Sequence, residues 1–165
     1  MFRFGRLQPG DAEEILAWRY PPPYDFYDMG QDPADAAVYR DVDFQAEHLV
    51  AERDKQGRLR GFLELTARDG LVEIGLGLRP DETGRGLGQS FVEAALAHVL
   101  AGHGPTVCRL HVATFNRRAI TVYRRAGFRE VGQESRRLLG RDWEFLVMER
   151  PLGASEKDGA AHSSS

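Results

Sequence analysis

Three glycines alternate in the run Thr83-Gly84-Arg85-Gly86-Leu87-Gly88-Gln89, between an apolar stretch that ends at Leu78-Arg79-Pro80 and an amphipathic segment that begins near Arg85. Alternate glycines leave the backbone bare just where a helix starts. The N–H groups of a first helical turn have no intrahelical partner, and the helix dipole adds positive charge there. Such a turn is a site for an anion, most often a phosphate. Arg79 and Arg85 flank it, and the planar fork of a guanidinium suits phosphate oxygens. Further along stand groups able to move protons: His111, an imidazole that titrates near neutral pH, Tyr123, a phenol protonated at that pH, and the carboxyl of Glu73.

Spacing decides which phosphate carrier fits. The dinucleotide fingerprint G-x-G-x-x-G fails, because from Gly84 the run reads GRGLGQ and Gln89 stands where the third glycine belongs. The nucleotide P-loop fails as well, for want of its Gly-Lys-Ser/Thr. The segment resembles the acyl-coenzyme A loop of the GNAT acetyltransferase superfamily, Gln/Arg-x-x-Gly-x-Gly/Ala after a strand ending in a hydrophobic-x-Pro. Thr83 departs from that pattern, standing where the family usually has Gln or Arg. A second segment, Asn116-Arg-Arg-Ala119-Ile120-Thr-Val-Tyr123-Arg-Arg-Ala-Gly127-Phe128, matches the superfamily's N-x-x-A-x-x-x-Y-x-x-x-G-F pattern. With both motifs in the right order, the chain is identified as a member from Phe2 to about Pro151.

The resemblance implies a fold, a co-substrate and a set of roles. The fold is a mixed α/β (α+β) one: a mainly antiparallel twisted sheet of six to seven strands, about four helices on both faces, and two central parallel strands splayed apart. The co-substrate is acetyl-coenzyme A, with no metal. Its pantetheine arm runs along Leu71 to Leu78, past Leu76 and Leu78, where a backbone N–H meets the acetyl oxygen. Gly75 and Gly77 fit this, since missing side chains admit another chain. The backbone of Thr83, Gly84, Arg85, Gly86, Leu87, Gly88 and Gln89 takes the pyrophosphate, helped by Arg79 or Arg85. Asn116, Ala119 and Tyr123 share one helix face; Asn116 contacts the pantetheine and Tyr123 acts as general acid to the thiolate. His111 and Glu73 both match positions where members carry a general base, Glu64 is a third candidate, and some members use ordered water instead. The aromatic loop Tyr24-Asp25-Phe26-Tyr27 lies where the family places its acceptor wall, and its rings and carboxylate suit a cation. The implied activity is transfer of acetyl to a primary amine of a small cationic acceptor by direct attack in a ternary complex. Acetylation of a protein N-terminus or lysine keeps the same mechanism, and a non-catalytic acyl-coenzyme A sensing module is the rival of another class.

Bulk properties agree with a soluble enzyme. A length of 165 residues suits one domain, 1–152, followed by a small polar tail, 153–165, expected to be disordered. A lone cysteine excludes an internal disulfide and is compatible with a reducing cytoplasm. No apolar run is long enough for a membrane span, the opening MFRFGRL lacks the apolar stretch expected of a signal peptide, and no basic stripe points to nucleic acid. The expected form is a cytoplasmic monomer or homodimer. Charge is uneven: ten acidic residues between Asp11 and Glu47 face only Arg19 and Arg40, which suits a cationic acceptor.

The elements that must position these groups read in the order β-α-α-β-β-β-α-β-α-β-β. Phe2 to Leu7 alternates like a strand, and Asp11 is placed to cap a helix that Pro21-Pro22-Pro23 ends. Pro33 to Phe44 reads as one helix. His48 to Arg53 and Leu59 to Ala67 form a hairpin, and Asp69-Gly70 turns into Leu71 to Leu78. A helix follows from Arg85 to His103, then a strand from Val107 to Ala113. Asn116 caps a helix from Arg117 to Arg125 that Gly127 stops. The last two strands, about Phe128 to Leu138 and Trp143 to Glu149, meet at Gly140.

Overall fold

The computed structural model describes residues 2–153; the expected disordered tail lies, from residue 154 on, outside them. The described chain divides into two compact units, residues 2–65 with 76–88 and residues 66–75 with 89–153. The first holds β1 (Phe4–Gly5), α1 (Asp11–Ala17), a 3-10 turn (Tyr24–Tyr27), α2 (Pro33–Arg40), α3 (Val42–His48), β2 (Leu49–Arg53), most of β3 (Leu59–Arg68), and the end of β4 (Leu71–Leu78). The second holds the start of β4, α4 (Gly88–His103, but for its first residue), β5 (Thr106–Ala113), α5 (Arg117–Arg125), β6 (Arg129–Leu138) and β7 (Arg141–Leu152).

The seven strands follow the order β1-β2-β3-β4-β5-β7-β6. β4 and β5 are parallel, whereas β1 with β2, β2 with β3, β5 with β7 and β6 with β7 are antiparallel. This is the expected mixed, mainly antiparallel sheet, with five helices rather than four. The ladder between β4 and β5 joins Leu71–Glu73 to Val107–Arg109. β5, by contrast, pairs with β7 along its whole length. The parallel pairing of β4 with β5 is the one the resemblance implied.

Local chemistry explains where the elements differ from expectation. β1 is only two residues long. Asp11 does not cap α1: Gly10 holds the cap position at φ 93°, and the Asp11 carboxylate accepts from the Gln8 backbone N–H at 2.6 Å and pairs with Arg53. The helix ends at Ala17, before the prolines, with Trp18 already extended. The single helix expected over Pro33 to Phe44 breaks at Asp41, whose extended backbone and carboxylate, accepting from the N–H groups of Asp43 and Phe44, start α3 afresh. That helix takes in His48, so β2 begins at Leu49. α4 begins at Gly88 and not Arg85, because Gly84 and Gly86 sit at φ 75° and 76°, outside helical backbone. α5 has the expected bounds and the expected cap, Asn116 accepting from Ala119 N–H at 3.2 Å.

The core of the first unit gathers Ile15, Leu16, Trp18, Ala36, Tyr39, Leu49, Ala51, Leu59 and Phe62. Phe62 lies at its centre, with the Trp18 and Tyr39 rings 6.1 and 6.0 Å away. A buried pair underlies the hairpin, where Arg60 donates through Nε to a fully buried Glu52 at 2.8 Å. In the second unit β5 alternates: Cys108, Leu110 and Val112 are buried, while Val107, Arg109 and His111 occupy the other face, half-buried. That period of two decides which side of the sheet carries the ionisable groups.

Candidate active site

The first unit holds the glycine turn, the end of β4 and the aromatic loop. Arg79 does not extend toward solvent: Nε donates to Asp81 at 2.6 Å, one terminal nitrogen to the Leu59 carbonyl at 2.8 Å, and the other to Glu82 at 3.0 Å. Its backbone N–H also donates to the Arg60 carbonyl at 2.7 Å. Glu82 is buried and faces Arg85 as well, at 3.3 Å. Arg79 and Glu82 therefore brace the loop, and the exposed Arg85 retains reach. Thr83 is turned inward, its hydroxyl donating to the Pro80 carbonyl at 2.7 Å. An added Cβ on Gly86 would meet nothing within 4 Å, so the turn presents an open backbone.

Leu76 and Leu78 are half-buried on β4. The reading of Gly77 needs correction. A Cβ there would stand 2.2 Å from the Phe62 ring, so the bare position is taken up by a neighbouring side chain of the same unit. Tyr24 to Tyr27 form a 3-10 turn with the Phe26 and Tyr27 rings 5.0 Å apart, edge to face. Gln31 holds this loop from below by donating to the Asp25 carbonyl at 2.6 Å. Sequence reasoning missed the tie to β4: the Tyr20 hydroxyl donates to the Leu78 carbonyl at 2.7 Å, and Asp28 accepts from Tyr20 N–H at 2.9 Å. Burial raises the Tyr20 phenol, first through lost solvation and then through Asp28. It stays a donor. Glu64 accepts a very short hydrogen bond from the buried Tyr39 hydroxyl.

In the second unit Glu73, Arg109 and Glu149 line up across β4, β5 and β7, with Arg109 at 2.6 Å from Glu149 and 3.9 Å from Glu73. Beside them, His111 Nε2 lies 2.8 Å from Glu134 Oε1. Burial pushes the His111 imidazole below its ordinary value, Arg136 adds to this, and Glu134 and Glu73 oppose it. A neutral imidazole at neutral pH is the form that can accept a proton. Glu134 carries no sequence signal, because β6 reaches β5 only across β7. Asn116 caps α5, Ala119 and Tyr123 follow half-buried, and the Tyr123 ring meets Phe128 edge on at 5.9 Å. Gln89, in the first turn of α4, donates to Glu93 at 3.3 Å. That turn holds no acidic side chain to compete with an anion. A cavity of about 570 Å³ lined by Glu93, Arg125, Gly127, Arg129 and Arg150 includes none of the expected residues.

The model of the acetyltransferase (GNAT) family matches residues 11–128, a span that takes in both the glycine turn and the Asn116–Phe128 segment. The chain belongs to the GNAT family. Among known GNAT-like relatives, it is 40% identical over 88 residues to mycothiol acetyltransferase of Clavibacter michiganensis, covering 53% of this chain and 28% of that protein. It is 41% identical over 86 residues to mycothiol acetyltransferase of Streptomyces coelicolor, covering 50% and 27%. The chain thus matches under a third of the length of these relatives. In architecture it resembles the spermidine N-acetyltransferase of Vibrio cholerae solved with coenzyme A and spermine, at TM-score 0.75 and 20% identity over 91% of this chain and 95% of that one. Among the described residues no helix is long and apolar enough to cross a membrane, and no group of three or more His, Cys, Asp or Glu could hold a metal ion.

Proposed function

We propose that this GNAT chain is an acetyl-coenzyme A-dependent N-acetyltransferase that acts on a primary amine by direct attack in a ternary complex. The observation that carries this reading is the family match across both motifs, one an open left-handed glycine turn before α4 and the other the Asn116-capped helix with Tyr123. The residues fit the co-substrate: Gly86 leaves open backbone, Arg85 keeps reach, and the first turn of α4 carries no opposing charge. Arg79, with its guanidinium nitrogens engaged, shapes the loop instead of touching phosphate.

Acetyl-coenzyme A supplies an acetyl group on a thioester, ready for attack by nitrogen. His111 receives the proton that the attacking amine must shed, in preference to Glu73, which faces Arg109. Tyr123 gives its hydroxyl proton to the departing sulfur as the new C–N bond replaces C–S. Backbone N–H groups near Leu78 stabilise the charge that gathers on the acetyl oxygen.

A small cationic amine is the acceptor this reading favours. Asp25, Asp35 and Asp43 of the acidic N-terminal region stay exposed, and the Phe26–Tyr27 edge offers ring faces to a cation. Other carboxylates of that region have structural work: Asp11 with Arg53, Glu13 with Arg40, and Asp28, Asp32 and Asp41 on backbone N–H groups. The polyamine-acetylating neighbours support this acceptor class at the level of fold, and the mycothiol acetyltransferase matches favour an amine of that other chemistry.

The test is a thiol-release screen over polyamines, aminoglycosides, amino acids and peptide N-termini, together with Tyr123→Phe. The variant should retain the rise in melting temperature that acetyl-coenzyme A gives and lose turnover on the best amine about 10- to 100-fold. Undiminished turnover sinks the acid role. Binding without thiol release on any amine points to a sensing module.

A further inference from the structure

We propose that Glu134 is a positioning residue for His111, fixing the imidazole so that Nδ1 is the atom that accepts the proton. The inference rests on the reading of His111 as general base. Its observation is the 2.8 Å contact between His111 Nε2 and Glu134 Oε1. The contact is an ion-pair approach, and because a carboxylate has no hydrogen to give, its charge favours the N–H over the lone pair at Nε2, which leaves the lone pair of the neutral ring on Nδ1.

The sheet makes this contact by register. His111 on β5 stands opposite Val147 on β7, and Ala113 opposite Phe145. On the far side of β7, Phe145 stands opposite Glu134 of β6. Glu134 thus sits one row along from His111 on the same face and reaches over β7 to the ring. It is itself held. Arg136, two residues on and on the same face, donates to Glu134 Oε1 from Nε at 3.0 Å and from a terminal nitrogen at 2.7 Å. The Arg136 guanidinium lies 5.8 Å from the centroid of the Phe145 ring. Glu134 is thereby kept ionised, its carboxyl held below the usual range first by the Arg136 hydrogen bond.

Among the described residues, the charged groups that act on His111 have defined signs. Glu73 of β4 and Glu134 of β6 favour the protonated ring, while Arg136 of β6 and Arg109 of β5 oppose it. Glu149 of β7 is occupied with Arg109. When the attacking amine loses its proton to Nδ1, the Nε2 hydrogen stays in place and the new positive charge is met by the Glu134 carboxylate. Without Glu134 the ring can turn over or change tautomer, and Arg136 is left uncompensated.

The experiment compares Glu134→Gln, Glu134→Asp and His111→Ala, using the best amine from the acceptor screen. Glu134 is 40% exposed, so its substitution does not open the core. In Glu134→Gln kcat should fall about 10-fold or more with KM for acetyl-coenzyme A unchanged, and the acid limb of the kcat/KM profile should move to lower pH. Glu134→Asp should restore part of both. His111→Ala should remove the acid limb. Imidazole nitrogen NMR gives a readout independent of turnover: His111 should show an unprotonated Nδ1 in the parent protein and a mixture of tautomers in Glu134→Gln. A parent ring protonated at Nδ1 overturns the proposal. So does a Glu134→Gln enzyme with parent kcat and an unmoved acid limb while His111→Ala is inactive, and in that case the base reading survives. Full activity in His111→Ala overturns the base reading and the proposal with it.

Discussion

Gly77 and Phe62 illustrate how a residue's reason can lie on the opposite side from the one its motif implies. In a strand that should bind an extended ligand, a missing side chain reads as room for that ligand. Here the room is filled by the Phe62 ring, 5% exposed and ringed by Trp18 and Tyr39. Adding a methyl at Gly77 places carbon 2.2 Å from Phe62 Cε1, and a ring held by two others has nowhere to swing. Gly77→Ala should therefore lower stability by about 1–3 kcal/mol, the usual cost of overpacking. Denaturant unfolding checks this, and Phe62→Leu in the same chain should recover part of the loss by making space. A Gly77→Ala protein as stable as the parent would return Gly77 to the ligand. Arg79 carries the same lesson, since its type announced phosphate while its neighbours Asp81, Glu82 and the Leu59 carbonyl engage it in the loop.

At the scale of elements, the sequence is most legible where start and stop signals are chemical and least where they depend on strand order. Asn116 and Gly127 bracket α5 because a cap acceptor and a left-handed glycine work locally, and the helix has the expected ends. The Asp69-Gly70 turn and the two hairpins were readable for the same reason. Asp41 hid its break: helical spacing continues through it, and an aspartate inside a helical pattern does not reveal that its backbone is extended. Asp41→Ala should cost about 0.5–2 kcal/mol, the price of an N-cap, and speed amide exchange at Asp43 and Phe44. Asp41→Asn should behave as the parent. Unchanged exchange in Asp41→Ala would mean that packing and not the cap divides α2 from α3. The His111–Glu134 contact lay beyond reach for a different reason, since nothing local says that β7 will lie between β5 and β6.

Across the whole molecule, groups whose titration is shifted by burial or by hydrogen bonds shape the pH range in which the fold is firm. His98 and His111 are pushed down, first by burial. As pH falls below about 6.5 the unfolded chain takes up these protons before the folded one does, so stability present above that pH is lost toward the folded values. Glu13, Asp54, Asp81 and Glu134, held down chiefly by hydrogen bonds, extend the loss further into acid. On the alkaline side the signs reverse. Burial raises the Tyr20 and Tyr39 phenols and pushes the Cys108 thiol up to about 12. An acid raised by folding stabilises at pH below its unfolded value and loses that contribution as pH climbs toward the folded one. Cys108 comes first, because a free thiol ionises near 8.5 and a free phenol near 10. At pH 10 this thiol alone should have cost the fold about 2 kcal/mol relative to pH 7. Cys108 is the chain's only cysteine, so the test is clean. Cys108→Ala should be somewhat less stable at pH 7 for the space it leaves, yet its melting temperature should hold level to about pH 10, whereas the parent declines from about 8.5. Parallel alkaline declines in the two proteins would assign that limb to the tyrosines. The same burial should keep Cys108 silent toward thiol reagents in the folded state, leaving released coenzyme A as the signal in the acceptor screen.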